Sequence, residues 1–175
     1  IVVHLAAQMS VRHSTEDPGF DAQVNILGTI NVLEHAMKQG VRKVTFASSG
    51  GVVYGEQEIF PAAEAHRTEP LSPYGISKLA GEKYLAYYAS ATGLRYVALR
   101  LANVYGPRQD SEGEAGVVAI FSKQMLDGGQ PIVNGTGKQT RDFTYVDDVV
   151  EAILVTLGED VQGIFNVGTG QETTI

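Results

Sequence analysis

Tyr74 and Lys78 stand four residues apart in SPYGISK (72–78), and Ser49, in FASSGGVVYG (46–55), precedes Tyr74 by 25 residues. Residues four apart share one face of a helix. A tyrosine beside an ammonium on such a face is a candidate general base. Its free phenol has a pKa near 10, so half ionisation at neutral pH needs about 4 kcal/mol of stabilisation. A lysine one turn away, together with a cationic cofactor ring, can supply that. A serine hydroxyl at the end of an apolar run can hold a substrate oxygen beside the phenol, because ligand crevices of open α/β sheets lie at the carboxyl ends of strands. Each motif alone is weak. A Tyr-x-x-x-Lys pair also fits an ordinary exposed helix face, and SSGG also fits a plain turn.

The elements that must position these groups are well signalled. Ser72 is a favourable N-cap, Pro73 suits the first helical position and Gly93 ends the run, which predicts a helix over 73–92. Ile76, Leu79, Ala80, Leu85 and Ala86 recur near helical spacing along it. IVVHL (1–5), VRKVTFAS (41–48) and LRYVALRLAN (94–103) read as apolar strands of a parallel sheet. Further helices are expected at 17–39, 116–129 and 147–158, and short strands at 131–135, 141–146 and 163–168. This alternation predicts an α/β fold, a doubly wound parallel sheet with helices on both faces. The pattern loosens after residue 107. Residues 1–107 are therefore expected to form the main domain. Residues 108–175 are expected to form mainly a smaller, substrate-side lobe, with elements that return to the sheet.

Composition excludes several classes. Net charge is −7 with no basic block, which argues against a nucleic-acid or anionic-membrane surface. The absence of cysteine removes disulfides, thiol nucleophiles and Cys-based zinc sites. His4, His13, His35 and His66 are scattered without metal-ligand spacing, so no metal is expected. No bilayer span or signal peptide is visible, and the cytoplasm is the default compartment. GTGKQT (135–140) is rejected as a phosphate loop, since no glycine stands five residues before Gly137 and Gln139 follows Lys138.

Taken together and in order, HLAAQ (4–8), NILGTINVLEHA (25–36), SSGGVVYG (48–55), SPYGISK (72–78), RLANVYGPRQ (100–109), RDFTYVDDVV (141–150) and FNVGTG (165–170) closely resemble the extended short-chain dehydrogenase/reductase family of nucleotide-sugar epimerases and dehydratases. The resemblance covers nearly the whole chain. It is strongest to the UDP-glucose 4-epimerases, through GEAGVVAIF (113–121). It implies a Rossmann-like fold, NAD as cofactor, a nucleotide-sugar substrate, and 4-epimerisation by transient oxidation at C4.

By matched position, the resemblance makes Tyr74 the catalytic base and acid. Lys78 would lower its pKa and bind the nicotinamide ribose, and Ser49 would bridge to the sugar 4-oxygen. Ala6, Ala7, Gln8, Asn25 and Ser48 fall on the cofactor side, with Asn25 shaping backbone beneath the nicotinamide. Asn103, Val117, Val118 and Arg141 fall on the substrate side, with Arg141 paired to phosphate or ribose. The dehydratases of this family carry an Asp–Glu pair where this chain has Gly50 and Gly51, which favours epimerisation. A related dehydratase or reductase, or a non-catalytic fragment, remain the alternatives. The resemblance also implies a homodimer through the helices at 17–39 and 73–92.

The family's glycine-rich turn and the acidic residue that reads the adenosine ribose are not found in these 175 residues. Ile1 matches the family's fourth strand, and both ends of the sequence read as cut. The 175 residues alone are expected to expose an apolar sheet edge, to be prone to aggregation and to bind NAD weakly.

Overall fold

The computed structural model describes residues 1–112, 116–158 and 160–175. Strand β1 (Val2–His4) leads through a short helix α1 (Val11–Glu16) into α2 (Pro18–Ala22), a π-helical segment (Gln23–Leu27) and α3 (Gly28–Lys38). The last three run on without leaving helical backbone. Next come β2 (Lys43–Ser49), α4 (Gly50–Val53), α5 (Pro73–Thr92), β3 (Arg95–Leu101) and β4 (Asn103–Tyr105). The rest comprises α6 (Val117–Leu126), β5 (Thr140–Arg141), β6 (Phe143–Tyr145), α7 (Val146–Thr156), β7 (Gly163–Val167) and β8 (Thr173–Thr174).

Four strands form one parallel sheet in the order β1-β2-β3-β7. Side chains of a strand alternate between faces, and β2 shows how the two layers attach. Val44 and Phe46 pack with Leu33 and Ala36 of α3 and Leu85 of α5. On the opposite face, Lys43 Nζ donates to the Gly158 carbonyl at 2.5 Å, and Thr45 Oγ1 pairs with Thr156 Oγ1 at 2.8 Å. Helices therefore cover both faces, as expected of a Rossmann-like doubly wound sheet. Two small pairs, β4 with β6 and β5 with β8, lie outside it. Among the described residues no helix is long and apolar enough to cross a membrane.

Helix α5 lies unusually close to its neighbours. A Cβ on Gly81 would stand 2.7 Å from Phe46 Cζ, and one on Gly75 would stand 2.8 Å from the Val52 carbonyl oxygen. Only glycine permits this approach, which brings the polar face of α5 down onto the sheet. That face buries Ser77, Lys78 and Glu82. Glu82 takes a bidentate ion pair from Arg100 on β3, at 2.9 and 2.7 Å. Ser48, in register with Arg100, donates to the same carboxylate at 2.6 Å. Tyr54 accepts from Arg100 at 2.9 Å and donates to Asn166 of β7 at 2.6 Å. Burial works against the Arg100 charge, but the Glu82 and Tyr54 hydrogen bonds more than reverse it and hold its pKa above the usual range.

The elements differ from expectation in places. The apolar positions of α5 are unequally buried: Leu85 lies in the core, while Ile76 is 54% exposed, because the buried face at the start of the helix carries Gly75, Ser77 and Lys78. The strand expected at 131–135 does not form. Ile132 and Val133 lie exposed, and Thr173–Thr174 pairs with Thr140–Arg141 rather than with this stretch. Helices α1 and α4, not expected from periodicity, are each shorter than two turns. The motif at 113–121 begins with three residues outside those described.

The Glu82 and Arg100 side chains are 1% and 4% exposed. Removing one partner of such a buried pair strands the other charge. In the full-length protein, Glu82→Gln is expected to cost about 3–5 kcal/mol of stability in urea unfolding. A loss below about 1 kcal/mol, the range of a surface pair, would mean the pair does not hold α5 to the sheet.

Candidate active site

Ser49 is the last residue of β2, so its hydroxyl sits at the carboxyl edge of the sheet. Tyr74 and Lys78 occupy the first two turns of α5, one on each side of the buried Ser77. Lys78 Nζ donates to the Ala47 carbonyl of β2 at 2.8 Å and lies 5.7 Å from the Tyr74 ring centre. Chain folding thus brings Ser49, Tyr74 and Lys78 together, as the sequence led one to expect.

The start of α5 is fixed twice. Ser72 Oγ accepts from the Gly75 N–H at 3.1 Å, the expected cap. The Tyr74 N–H is also satisfied, by Ser14 Oγ of α1 at 3.2 Å, while Ser14 itself donates to the Val11 carbonyl at 2.6 Å. Sequence reasoning missed Ser14, which is fully buried. No local pattern joins residues 60 positions apart.

A second polar cluster joins the expected Gln8 and Asn25 to Asp21 and Ser77, which sequence reasoning missed. Asp21 of α2 is fully buried. Its Oδ1 accepts from Gln8 Nε2 at 2.8 Å and Asn25 Nδ2 at 2.9 Å, and its Oδ2 accepts from Ser77 Oγ at 2.6 Å. Asn25 lies in the π-helical segment. Its amide pairs with the Gln8 backbone in both directions, donating to the carbonyl and accepting from the N–H, each at 2.9 Å. Asn25 therefore holds the backbone at Gln8. The Gln8 side chain also engages the loop, donating to the Ser10 carbonyl at 2.9 Å and accepting from the Ser10 N–H. Its amide is turned inward, onto Asp21 and Ser10.

The protonation states follow from burial and these charges. Burial, then the Asp21 charge, pushes the Tyr74 phenol up to about 12, with a hydrogen-bond contribution from Ser49 pulling the other way. Burial brings Lys78 down to about 8, against the opposing pull of Asp21. His4, hydrogen-bonded to Thr29 Oγ1 at 3.2 Å, is lowered by burial and by Lys78, so it adds no second positive charge at neutral pH. Burial and Asp21 outweigh the groups that favour a phenolate, so the net shift of Tyr74 is upward.

Other expected residues fall in two groups. The Ser48 hydroxyl is buried and donates to Glu82 on the α5 side of the sheet. Ala6 is exposed and Ala7 half-buried in the turn after β1, and Val117 and Val118 are half-buried at the start of α6. Asn103 and Arg141 both belong to the small strand pairs. The Asn103 N–H donates to the Asp142 carbonyl at 2.9 Å, and Arg141 is exposed, donating to the Thr140 carbonyl. Asp142 holds the turn at Thr169 and Gly170. Among the described residues no hydrogen bond links Asn103 or Arg141 to Tyr74 or Lys78.

A profile of the NAD dependent epimerase/dehydratase family matches residues 1–168. The chain belongs to that family. It is similar to a UDP-glucose 4-epimerase of Mycolicibacterium smegmatis, with 50% identity over 99% of this chain and 56% of the relative. It is also similar to the solved UDP-glucose 4-epimerase of Thermotoga maritima with UDP-glucose, at a TM-score of 0.96 and 49% identity, over 98% of this chain and 56% of that one. The Thermus thermophilus UDP-glucose 4-epimerase complex with NAD gives a TM-score of 0.91 and 48% identity, over 98% of this chain and 57% of that one. The chain thus spans a little over half the length of these relatives.

NAD is the cofactor of this epimerase/dehydratase family, and the residues here fit its nicotinamide end. Lys78 is a buried ammonium with three donors, of which one is taken by Ala47 among the described residues. The other two N–H groups suit ribose hydroxyls.

Ser14→Ala removes the side chain that caps the Tyr74 N–H. The expected cost is about 1 kcal/mol in denaturant unfolding of the full-length protein. An unchanged midpoint would mean the N–H is satisfied by solvent instead.

Proposed function

We propose that the protein containing this chain catalyses NAD-dependent 4-epimerisation of a nucleotide sugar of the UDP-glucose/UDP-galactose type. The observation that carries this is Tyr74 and Lys78 facing the Ser49 end of β2, with Gly50 and Gly51 following the serine. A dehydratase needs a carboxylate to remove the second proton, and neither glycine can act as one. The similarity to UDP-glucose 4-epimerases at about half identity supports the same substrate class.

In this mechanism the Ser49 hydroxyl holds the sugar 4-oxygen against Tyr74. The phenolate of Tyr74 takes the proton from the 4-hydroxyl. NAD, when bound, supplies the acceptor and later the donor of the C4 hydride. Lys78, held by the Ala47 carbonyl, orients the nicotinamide ribose. The sugar carbon is flat between the two transfers, so turning the sugar over exposes its other face. Tyr74 then returns the proton to the same oxygen. Asn103, Val117, Val118 and Arg141 contact the nucleotide and diphosphate in this proposal, which also assigns residues 1–107 mainly to the cofactor and 108–175 mainly to the substrate.

The test uses the full-length protein with UDP-galactose and no added NADH. UDP-glucose is expected to accumulate, and Tyr74→Phe is expected to lower kcat by at least about 100-fold, the usual scale of general acid–base catalysis. A keto-deoxy sugar product, or turnover only with NADH, would replace this reading with a dehydratase or reductase.

A homodimer belongs to the same proposal. Phe20 and Leu27 lie exposed along α2 and the π-helical segment, and Ile76, Tyr84 and Tyr87 along α5. Light scattering of the full-length protein is expected to give twice the subunit mass; a monomer excludes the dimer.

A further inference from the structure

We propose that Asp21 is a positioning residue whose buried carboxylate sets the charge balance of the Tyr74–Lys78 pair and ties the turn after β1 to the catalytic helix. The assignment of Tyr74 and Lys78 to proton transfer rests on the proposed function above; the charge coupling does not.

The geometry is unusual for a carboxylate. Asp21 is 0% exposed, yet all its described side-chain partners are neutral: the amides of Gln8 and Asn25 and the hydroxyl of Ser77. Buried charges are ordinarily paired directly, because an unpaired one is costly. Three hydrogen bonds keep the carboxylate oxygens satisfied, but its charge is left to act on the next groups along α5. Those groups are Lys78, adjacent to Ser77, and Tyr74, three residues before it. Both feel the Asp21 charge. From β1, His4 faces the same region and is kept neutral by burial and Lys78. The loop after β1 and the π-helical segment contribute Gln8 and Asn25, which do not titrate. The same carboxylate therefore links three separate pieces of chain that must be in register: the turn holding Gln8, the segment holding Asn25 and the helix holding Tyr74.

The sign of the effect is fixed for each partner. A negative charge nearby disfavours a phenolate and favours an ammonium. Its removal lowers the pKa of Tyr74 and also lowers that of Lys78. A purely structural carboxylate would reduce yield or stability but would not move two titrations in one direction.

The experiment uses the full-length protein with NAD bound and the conservative variant Asp21→Asn, whose carboxamide keeps the size and the acceptor for Gln8 and Asn25. The Tyr74 titration is read as the ultraviolet difference between each protein and its Tyr74→Phe partner. The midpoint is expected to fall by about one pH unit or more in Asp21→Asn. The pH profile of kcat/KM is expected to shift to lower pH on both limbs. A Tyr74 midpoint that stays in place in folded Asp21→Asn overturns the proposal. If Asp21→Asn does not fold, Asp21→Ser is read in the same way. Failure of both neutral variants to fold makes the carboxylate a folding element and also overturns it. A shifted midpoint in a protein without epimerase activity keeps the charge coupling and rejects the epimerase reading, so the two failures are distinguishable.

Discussion

A carboxylate and a guanidinium share the interior between α5 and β3, and much of the site geometry depends on that pair. Glu82 and Arg100 are almost fully buried, so neither charge has water to fall back on. Their bidentate contact fixes how far α5 can slide along the sheet. Lys78 is one helical turn before Glu82 and Tyr74 is two, so whatever fixes Glu82 also fixes the face that carries Tyr74 and Lys78. The pair recruits Ser48 from β2, Tyr54 from the start of the long loop and, through Tyr54, Asn166 from β7. Five parts of the chain are thereby registered at one end of the sheet. Two glycines make the arrangement possible, because a methyl at Gly75 or Gly81 would collide with its neighbours.

The second polar centre works on a smaller scale. Asp21, Asn25 and Gln8 join the π-helical turn to the loop after β1, and Ser77 joins both to α5. Widened helical turns are found often at functional sites. Here the Asn25 amide pairs with the backbone of Gln8 as a strand neighbour would, and the Thr29 hydroxyl donates to the Asn25 carbonyl at 2.7 Å. Burial raises the Tyr74 pKa and lowers that of Lys78, with Asp21 adding to the first shift and opposing the second.

Much of this was legible in the sequence. Apolar runs with short helical spacers gave the parallel sheet, and β1, β2, β3 and β7 lie close to where they were expected. Ser72, Pro73 and Gly93 are local signals with local causes, and they bound α5 correctly. Tyr74, Lys78 and Ser49 were candidates by type and spacing, and the structure brings Tyr74 and Lys78 to the Ser49 end of β2. The strand expected at 131–135 failed because periodicity says nothing about whether a partner is within reach.

Residue type and spacing by themselves determined the α/β alternation, the limits of α5 and a candidate acid–base set, while the family came from the resemblance of seven motifs taken in order. Tertiary structure alone decided which face of α5 is buried, that Ser48 serves Glu82 while its neighbour Ser49 stays at the site, and that Ser14 and Asp21 support Tyr74 from 60 and 53 residues away. The reason is physical: capping and periodicity act within a few residues, whereas buried polar groups must find partners wherever the chain brings them.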